Sequence, residues 1–262
     1  MNIAVLVKQV PDTTEIKVDK ETGSLIRKGI PTIINPDDLS AVEVALTLKE
    51  QHGGYVHVFT MGPPSAHDML KELYARGVDE TTLLSDRKFA GSDTWATSYV
   101  LSTAIGKDTF DLIIAGRQAI DGDTAQVGAQ VAEFLNVPHV SYVSQVPEFT
   151  QGRLRVVKRE ETRNLTLSMP TPALITVLDS IATPRYMHMA HIFQSTDKTV
   201  NHVTNETLGI DVDFLGLSGS PTKVKRTFNK AVTKKQPTQK LSPEDAAEAI
   251  VNFINTQGVV QS

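Results

Sequence analysis

The alternation of short apolar runs with helix-length amphipathic segments constrains this fold more than any other sequence feature. Over residues 1–137 each apolar run is nearly continuous, as expected of strands buried on both faces of a parallel sheet. Helices between the strands would cover those faces, so the pattern predicts an α/β fold with a doubly wound, mostly parallel sheet. The predicted strands are residues 3–7, 55–61, 81–84 and 111–115.

Three helices are predicted between these strands. The first follows Asn35, where a proline and two acidic residues in the first turn are typical of a helix start. The second and third span residues 65–76 and 92–105. They end at Gly77 and Gly106, each of which suits a left-handed cap.

Other regions depart from this alternation. A turn-rich stretch within residues 15–27 predicts a β-hairpin between the first strand and its helix. From about Pro184 the periodicity is lost until a helix predicted at residues 243–255, and such a long irregular segment is better explained as an arm lying on another subunit. After Pro138 the pattern is β-rich and predicts a sheet extension, with strands at residues 140–146, 154–159, 164–167 and 173–178.

Composition excludes several classes of function. The 262-residue chain has no cysteine, which excludes disulfides, thiolate catalysis and cysteine-ligated metal centres within it, so redox chemistry requires a bound cofactor. Its net charge of -4 gives no electrostatic reason to expect nucleic acid or an anionic membrane as partner. Without a membrane-length apolar stretch, and with a strand directly after Met1, we expect a soluble cytoplasmic protein or a mature form.

The loop from Gly116 to Val127 is the leading candidate for a binding site. It follows a predicted strand and leads into a helix predicted to begin near Thr124, so it lies at a carboxyl edge of the sheet, where ligands collect. Free backbone N–H groups there could bind phosphate, and Arg117 could add charge complementarity. Asp121 and Asp123 would repel phosphate, so at least one of them is expected to accept a ribose hydroxyl or to cap the helix. A tight turn with a helix cap and no ligand is an equally good interpretation of the spacing.

Asn35 and the residues after it form a second candidate. In a doubly wound sheet, the loops after the first and fourth strands meet where the strand order reverses, so residues 35–38 and the Gly116 loop would share one cleft. Taken alone, Asn35 is better explained as a helix cap.

The histidines and the basic stretch carry weaker signals. His188 and His191 have metal-ligand spacing, but they lack nearby carboxylates and any helix signal, so exposed loop histidines are expected. The methionines beside them favour a partner-docking loop, with core packing as the alternative. Basic residues between Lys223 and Lys240 are most simply a solvated segment. No arrangement typical of catalysis stands out, so no catalytic or metal-binding residue is predicted.

Taken together, the motifs resemble the β subunit of electron-transferring flavoproteins, and the likeness covers nearly the whole chain. The Gly116 loop is the most specific part. The resemblance is carried by Val5-Leu6-Val7-Lys8-Gln9-Val10-Pro11, Asn35-Pro36-Asp37-Asp38, Met61-Gly62-Pro63, Ala115-Gly116-Arg117-Gln118-Ala119-Ile120-Asp121 and Pro184-Arg185-Tyr186.

This resemblance implies a fold of the adenine-nucleotide α-hydrolase type and a heterodimer with an α subunit that carries FAD. Residues 1–183 would be the nucleotide-binding domain, with residues 184–262 a partner-recognition loop and an arm wrapping the α subunit. Met189 would anchor that loop on a flavin dehydrogenase, which is acyl-CoA dehydrogenase-like or a 2-hydroxy acid dehydrogenase. The β subunit would bind a second adenine nucleotide through Leu6, Asn35, Pro36, Asp37, Asp38, Met61, Gly116, Arg117, Gln118, Ala119, Ile120, Asp121, Gly122, Asp123, Thr124, Ala125, Gln126 and Val127.

Two branches of this family differ in the second nucleotide. Simple carriers hold a structural AMP, whereas bifurcating members hold another FAD that takes hydride from NADH and splits the electrons between the α-subunit FAD and a carrier such as ferredoxin. Mitochondrial-type carriers have an acid at Gly122 and Cys-Asn at Thr124 and Ala125. The residues at these positions here resemble those of the bifurcating branch. Side chains smaller than those of the mitochondrial-type carriers leave room for a larger ligand. Ala129 departs from the proline usual in the family.

Two other hypotheses fit the fold class. A stress-protein-like adenine-nucleotide binding module would be a short domain, which leaves residues 184–262 without a purpose. An ATP-pyrophosphatase-type enzyme needs a Ser-Gly-Gly phosphate loop directly after the first strand, where this chain has Lys8-Gln9-Val10-Pro11. The irregular arm therefore favours the flavoprotein carrier.

Overall fold

The computed structural model describes residues 1–12, 31–150, 152–225 and 240–256. The chain divides into two compact units, Met1–Lys225 and Arg226–Ser262. The predicted hairpin within residues 15–27 and most of the basic stretch lie outside the described residues.

The first unit contains a nine-stranded sheet, which confirms the predicted α/β class. Its strand order is β11-β5-β4-β1-β6-β10-β7-β8-β9, so β1 lies between β4 and β6 and pairs parallel with both. The strands are β1 (Asn2–Leu6), β4 (Tyr55–Met61), β5 (Glu80–Leu84), β6 (Leu112–Gly116), β7 (His139–Thr150), β8 (Arg153–Arg159), β9 (Asn164–Pro170), β10 (Ala173–Val177) and β11 (Asn201–Val203), with β2 (Gln9–Pro11) and β3 (Thr32–Ile34) in a separate antiparallel pair.

Helices cover both faces of this sheet. All five residues of β6 are buried, as the continuous apolar run predicts. Gly77 ends a helix in the left-handed conformation, as predicted, but Gly106 is right-handed with φ -67°, so that part of the prediction is wrong. The helices of the first unit are α1 (Pro36–His52), α2 (Ala66–Arg76), α3 (Thr94–Ile105), α4 (Val127–Phe134), α5 (Met189–Ser195) and α6 (Asn205–Leu208).

Helix α4 begins three residues later than predicted. Asp123 and Ala125 have positive φ values of 53° and 54°, which no right-handed helix accommodates. The chain therefore stays a loop until Gln126, which occupies the N-cap position.

The β-rich extension is confirmed, with one connection that the sequence pattern did not reveal. β7, β8 and β9 form an antiparallel meander, but β10 returns to lie between β6 and β7 and runs parallel to both. β10 is buried along its whole length and completes the core on that side of β6.

The part of the first unit after Pro184 is more regular than predicted. β11 adds a parallel strand to the sheet edge beside β5. Residues 189–195 form α5, although no helix was expected around His188 and His191. Seven residues are too few to show a clear helical periodicity, and contacts with α2 supply the order instead.

The second unit is described from residue 240 to residue 256. Its helix α7 (Pro243–Thr256) agrees with the predicted helix, and the backbone N–H of Asp245 donates to Ser242 Oγ over 3.2 Å at the start of the helix. Ile250, Val251 and Phe253 are exposed on it. Across the described residues, no helix is both long and apolar enough to cross a membrane.

Candidate functional site

The predicted nucleotide-site residues come together at the carboxyl edge of the sheet. β1 ends at Leu6, β4 at Met61 and β6 at Gly116, and these three strands are neighbours. The first turn of α1 lies against the end of β6. The strand order reverses at β1, because β4 lies on one side of it and β6 on the other. The carboxyl edge at β1 is therefore the switch point at which open α/β sheets bind ligands.

Asp38 joins the three elements of this edge. Its Oδ2 accepts the backbone N–H of Lys8 over 2.9 Å, and its Oδ1 accepts that of Gly116 over 3.1 Å. Burial raises the pKa of Asp38 to about 7, although hydrogen bonds from Asn35, Lys8 and Gly116 act to lower it. The carboxyl group therefore fixes the ends of β1 and β6 relative to α1.

Gly116 allows that close approach. A Cβ at this position would lie 2.2 Å from Asp38 Oδ1 and 2.7 Å from the Asp38 nitrogen. Any other residue would push α1 away from β6, so this glycine serves close packing of the backbone.

Asn35 occupies the N-cap position of α1, as predicted, but its side chain holds the Gly116 loop. It makes no side-chain cap hydrogen bond. Instead its Nδ2 donates to the Gln118 carbonyl over 2.8 Å, and its Oδ1 accepts the Ile120 backbone N–H over 3.1 Å. The interpretation of Asn35 as a simple helix cap is wrong, because the fully buried amide faces the loop from the neighbouring strand connection.

Arg117 is directed towards Asp37. Arg117 Nε lies 3.4 Å from Asp37 Oδ2, and both atoms are buried without a hydrogen-bond partner among the described residues. Burial raises the pKa of Asp37, and the nearby Arg117 guanidinium partly offsets that rise. The predicted cation beside the loop is therefore already paired with a carboxylate.

Lys8 belongs to this site and was missed as a site residue by sequence reasoning. Its Nζ lies 2.6 Å from Asp121 Oδ1, and the Asp121 side chain is only 1% exposed. The Asp121 carboxylate is thus buried and ion-paired. A lysine two residues beyond the end of β1, at the same edge as an aspartate-rich loop, was the available signal.

The rest of the loop forms a compact turn. The backbone N–H groups of Gly122 and Asp123 both donate to the Ala119 carbonyl, over 3.3 and 2.8 Å. Gln118 Nε2 donates to Asp123 Oδ1. Gln126 occupies the N-cap position of α4, so the prediction that Asp121 or Asp123 caps this helix is wrong, while the predicted tight turn is present. Thr94 Oγ1 donates to Gln126 Oε1 over 2.9 Å, which links the loop to the start of α3.

The arrangement offers polar groups suited to binding. Thr124 is exposed at the loop surface, whereas Ala125 and Val127 are half-buried. Carboxylate oxygens accept hydroxyl protons, and the first turn of α4 leaves backbone N–H donors available for an anion.

Sequence comparison identifies the family. Residues 22–208 match the electron transfer flavoprotein domain. The chain is also 48% identical over 232 residues to the electron transfer flavoprotein subunit beta of Clostridium acetobutylicum, with 88% of this chain and 89% of that protein covered. The chain belongs to the electron transfer flavoprotein family. Its similarity to the β subunit confirms the carrier hypothesis at the level of the family.

Two further relatives of this flavoprotein family have more specific names. The caffeyl-CoA reductase-Etf complex subunit CarD of Acetobacterium woodii is 45% identical over 232 residues, covering 87% of this chain and 88% of that protein. Protein FixA of Azorhizobium caulinodans is 44% identical over 236 residues, covering 87% and 84%. The relatives thus include one whose name places it in a complex with a reductase.

Met189 begins α5 on a different surface of this flavoprotein subunit. Its side chain is 67% exposed, and Tyr186, Met187 and Phe193 are exposed nearby. We call residues 185–198 the α5 segment. His191 lies within α5 and is half-buried, so the prediction of exposed loop histidines is wrong for that residue. Throughout the described ranges, no group of three or more potential metal ligands occurs.

Proposed function

We propose that the cleft between α1 and residues 116–127 binds FAD, and that this β subunit takes electrons from NADH and bifurcates them. The observation that carries the proposal is the open space at Gly122. Among the described residues, and apart from its chain neighbours, a Cβ there would meet only the Lys8 ammonium nitrogen, 4.0 Å away. An acidic side chain, as in the mitochondrial-type carriers, would occupy this space.

The cleft has donors and acceptors that suit an adenine dinucleotide. Backbone N–H groups at the start of α4 would bind a phosphate, while Asp123 would accept a ribose hydroxyl. The unsatisfied Asp37 Oδ2 and Arg117 Nε would gain partners from polar ligand atoms or ordered water. Leu6 and Met61 would supply apolar contact at the ends of their strands.

Bound FAD would supply hydride acceptance from NADH and one-electron transfer to further carriers. The protein residues would bind and orient it. Asn35 and Asp38 hold the two walls of the cleft together through buried hydrogen bonds, and the Lys8–Asp121 ion pair fixes the loop. Rigid walls of this kind hold a cofactor at a defined distance from its electron partners.

The alternative is a simple carrier with structural AMP. It uses the same loop, because AMP and FAD share the adenosine and its phosphate. The distinguishing prediction is therefore the bound ligand. We expect two FAD for each heterodimer with the α subunit, whereas one FAD and one AMP would contradict bifurcation.

Variants at Gly122 provide the sharper test. Gly122→Trp should fill the open space and lower β-site occupancy at least tenfold, with the α-subunit FAD retained. Gly122→Ala is the matched control and should retain both nucleotides, since its methyl group has room. Chromatographic nucleotide analysis of the purified heterodimers checks this, and full β-site occupancy in Gly122→Trp would show that the cleft is wrongly placed.

The proposed partners are an α subunit carrying the second FAD, a flavin dehydrogenase and a carrier such as ferredoxin. Residues 184–262 are proposed to provide recognition and the arm around the α subunit. Two features support this: α7 exposes Ile250, Val251 and Phe253, and the α5 segment exposes Met189. The dehydrogenase is proposed to be acyl-CoA dehydrogenase-like or a 2-hydroxy acid dehydrogenase, and the reductase complex named for one relative supports a partner of this class.

A further inference from the structure

The α5 segment is held at its beginning by Arg185. The guanidinium Nε and Nη2 each lie 2.9 Å from a Glu43 carboxylate oxygen, and Nη2 also donates to Glu50 over 3.2 Å. The Arg185 backbone N–H donates to Glu43 as well, over 2.9 Å. Both glutamates lie on α1, so one arginine attaches the start of the segment to the helix that also forms the cleft.

Helix α2 holds the remainder of the segment. Arg76 Nη1 donates to the Arg185 carbonyl, and the His188 backbone N–H donates to the Ala75 carbonyl over 3.0 Å. At the other end, Lys71 Nζ donates to the carbonyls of Ser195 and Thr196 over 3.0 and 3.3 Å. These carbonyls belong to the last residue of α5 and to the residue after it, where a cation is electrostatically favourable.

The outward face of the segment is apolar and exposed. Met189 is 67% exposed and Phe193 is 70% exposed. The contacts of Arg185 and Lys71 are instead with the side of the molecule formed by α1 and α2. A short helix of seven residues has little stability of its own, so its orientation depends on these attachments.

We propose that Arg185 and Lys71 are positioning residues, which hold α5 in the orientation needed to dock a flavin dehydrogenase. This inference rests on the proposed docking role of Met189. A segment that is already held in place loses less conformational entropy when it binds a partner. Loss of either attachment therefore weakens docking without changing the contact residues. Arginine suits this position because its planar fork binds one carboxylate through two nitrogens while reaching a second.

The test uses the heterodimer with its α subunit and, as the electron donor, a short-chain acyl-CoA dehydrogenase reduced by its acyl-CoA substrate. Arg185→Gln and Lys71→Gln should each raise the KM for the heterodimer about threefold to tenfold at unchanged kcat. Amide hydrogen exchange in residues 189–195 should become faster, while nucleotide content stays the same. Glu43→Gln combined with Arg185→Gln should be no worse than Arg185→Gln alone, because the pair acts as one attachment.

The matched control is Arg163→Gln, which removes an exposed arginine–glutamate contact away from α5, the 2.9 Å pair with Glu160. It should leave KM unchanged. Arg185→Lys should recover part of the lost docking, since it keeps the charge but loses the fork.

Met189→Ala separates this inference from the proposed docking role. If Met189→Ala raises KM and both Arg185→Gln and Lys71→Gln leave it unchanged, the positioning inference is overturned while the docking role stands. If Met189→Ala also leaves KM unchanged, the docking role itself fails, and the inference with it. A fall in kcat together with loss of nucleotide in Arg185→Gln would indicate a general structural role and would likewise overturn the inference.

Discussion

The cleft and the α5 segment are both attached to α1, but by different kinds of contact. At the start of α1, Asn35 and Asp38 make short hydrogen bonds to backbone groups and are almost completely buried. Further along, Glu43 and Glu50 pair with Arg185, which is 31% exposed. Buried polar groups are costly to leave unpaired, whereas exposed ion pairs contribute little to stability. Helix α1 thus stabilises the cleft near its start and orients the α5 segment further along.

The largest expected effect is steric and lies in the cleft. Gly116→Ala should lower the free energy of unfolding by about 3 kcal/mol, because the added methyl group would overlap Asp38 and force α1 away from β6. Gly122→Ala, with open space around it, should change stability by less than about 0.5 kcal/mol. Urea unfolding of the two variants measures the difference, and equal stabilities would contradict the close packing described at Gly116.

The next effect concerns the hydrogen bonds of Asn35. Asn35→Ala leaves the Gln118 carbonyl and the Ile120 N–H without this partner, which should cost about 2 kcal/mol and reduce β-site nucleotide. Asn35→Asp keeps an acceptor for Ile120 but loses the donor to Gln118, so a partial reduction in nucleotide is expected. Thermal unfolding and nucleotide analysis together check this, and full nucleotide retention in Asn35→Ala would show that the loop does not depend on the amide.

The pH dependence of stability tests the buried state of Asp38. Its pKa is about 7 in the folded protein against 3.8 as the reference, so the folded state binds the proton more tightly. The stabilising contribution of the protonated carboxyl is present below pH 4 and is lost as pH rises to 7, on the order of 1 kcal/mol for each pH unit. Urea unfolding gives the difference in free energy of unfolding between the wild type and Asp38→Asn. This difference should show the slope between pH 5 and 7 and level off above pH 7. A flat difference would mean that Asp38 is ionised throughout.

The smallest stability effect is expected in the α5 segment. Met189→Ala should change the free energy of unfolding by less than about 0.5 kcal/mol, since the side chain is mostly exposed. Its effect should instead be seen in the KM for the dehydrogenase. A large loss of stability would show that Met189 packs in the core and would remove the contrast with Asn35.

The sequence by itself determined the class of fold and the sheet edge at which the candidate residues lie. Continuous apolar strands such as β6 are buried because both faces must be covered, and their spacing implies helical crossovers between them. The apolar run of β4 and the glycine that follows α2 correctly predicted where these two elements end. The motifs around Asn35 and Gly116 were sufficient to suggest one cleft, and they carried the family resemblance that sequence comparison confirms.

Only the tertiary structure decided which groups pair across that cleft. The partners of Asn35 lie more than eighty residues away in the chain, and Lys8 and Asp121 are 113 positions apart. No local pattern indicates such contacts, because they arise from the order of strands in the sheet. The same holds for α5, whose seven residues are too few to show a clear helical period, and for Arg185, which is 142 positions from Glu43 in the chain. Local periodicity indicates what a segment buries, while the partner of each buried or paired group depends on the whole fold.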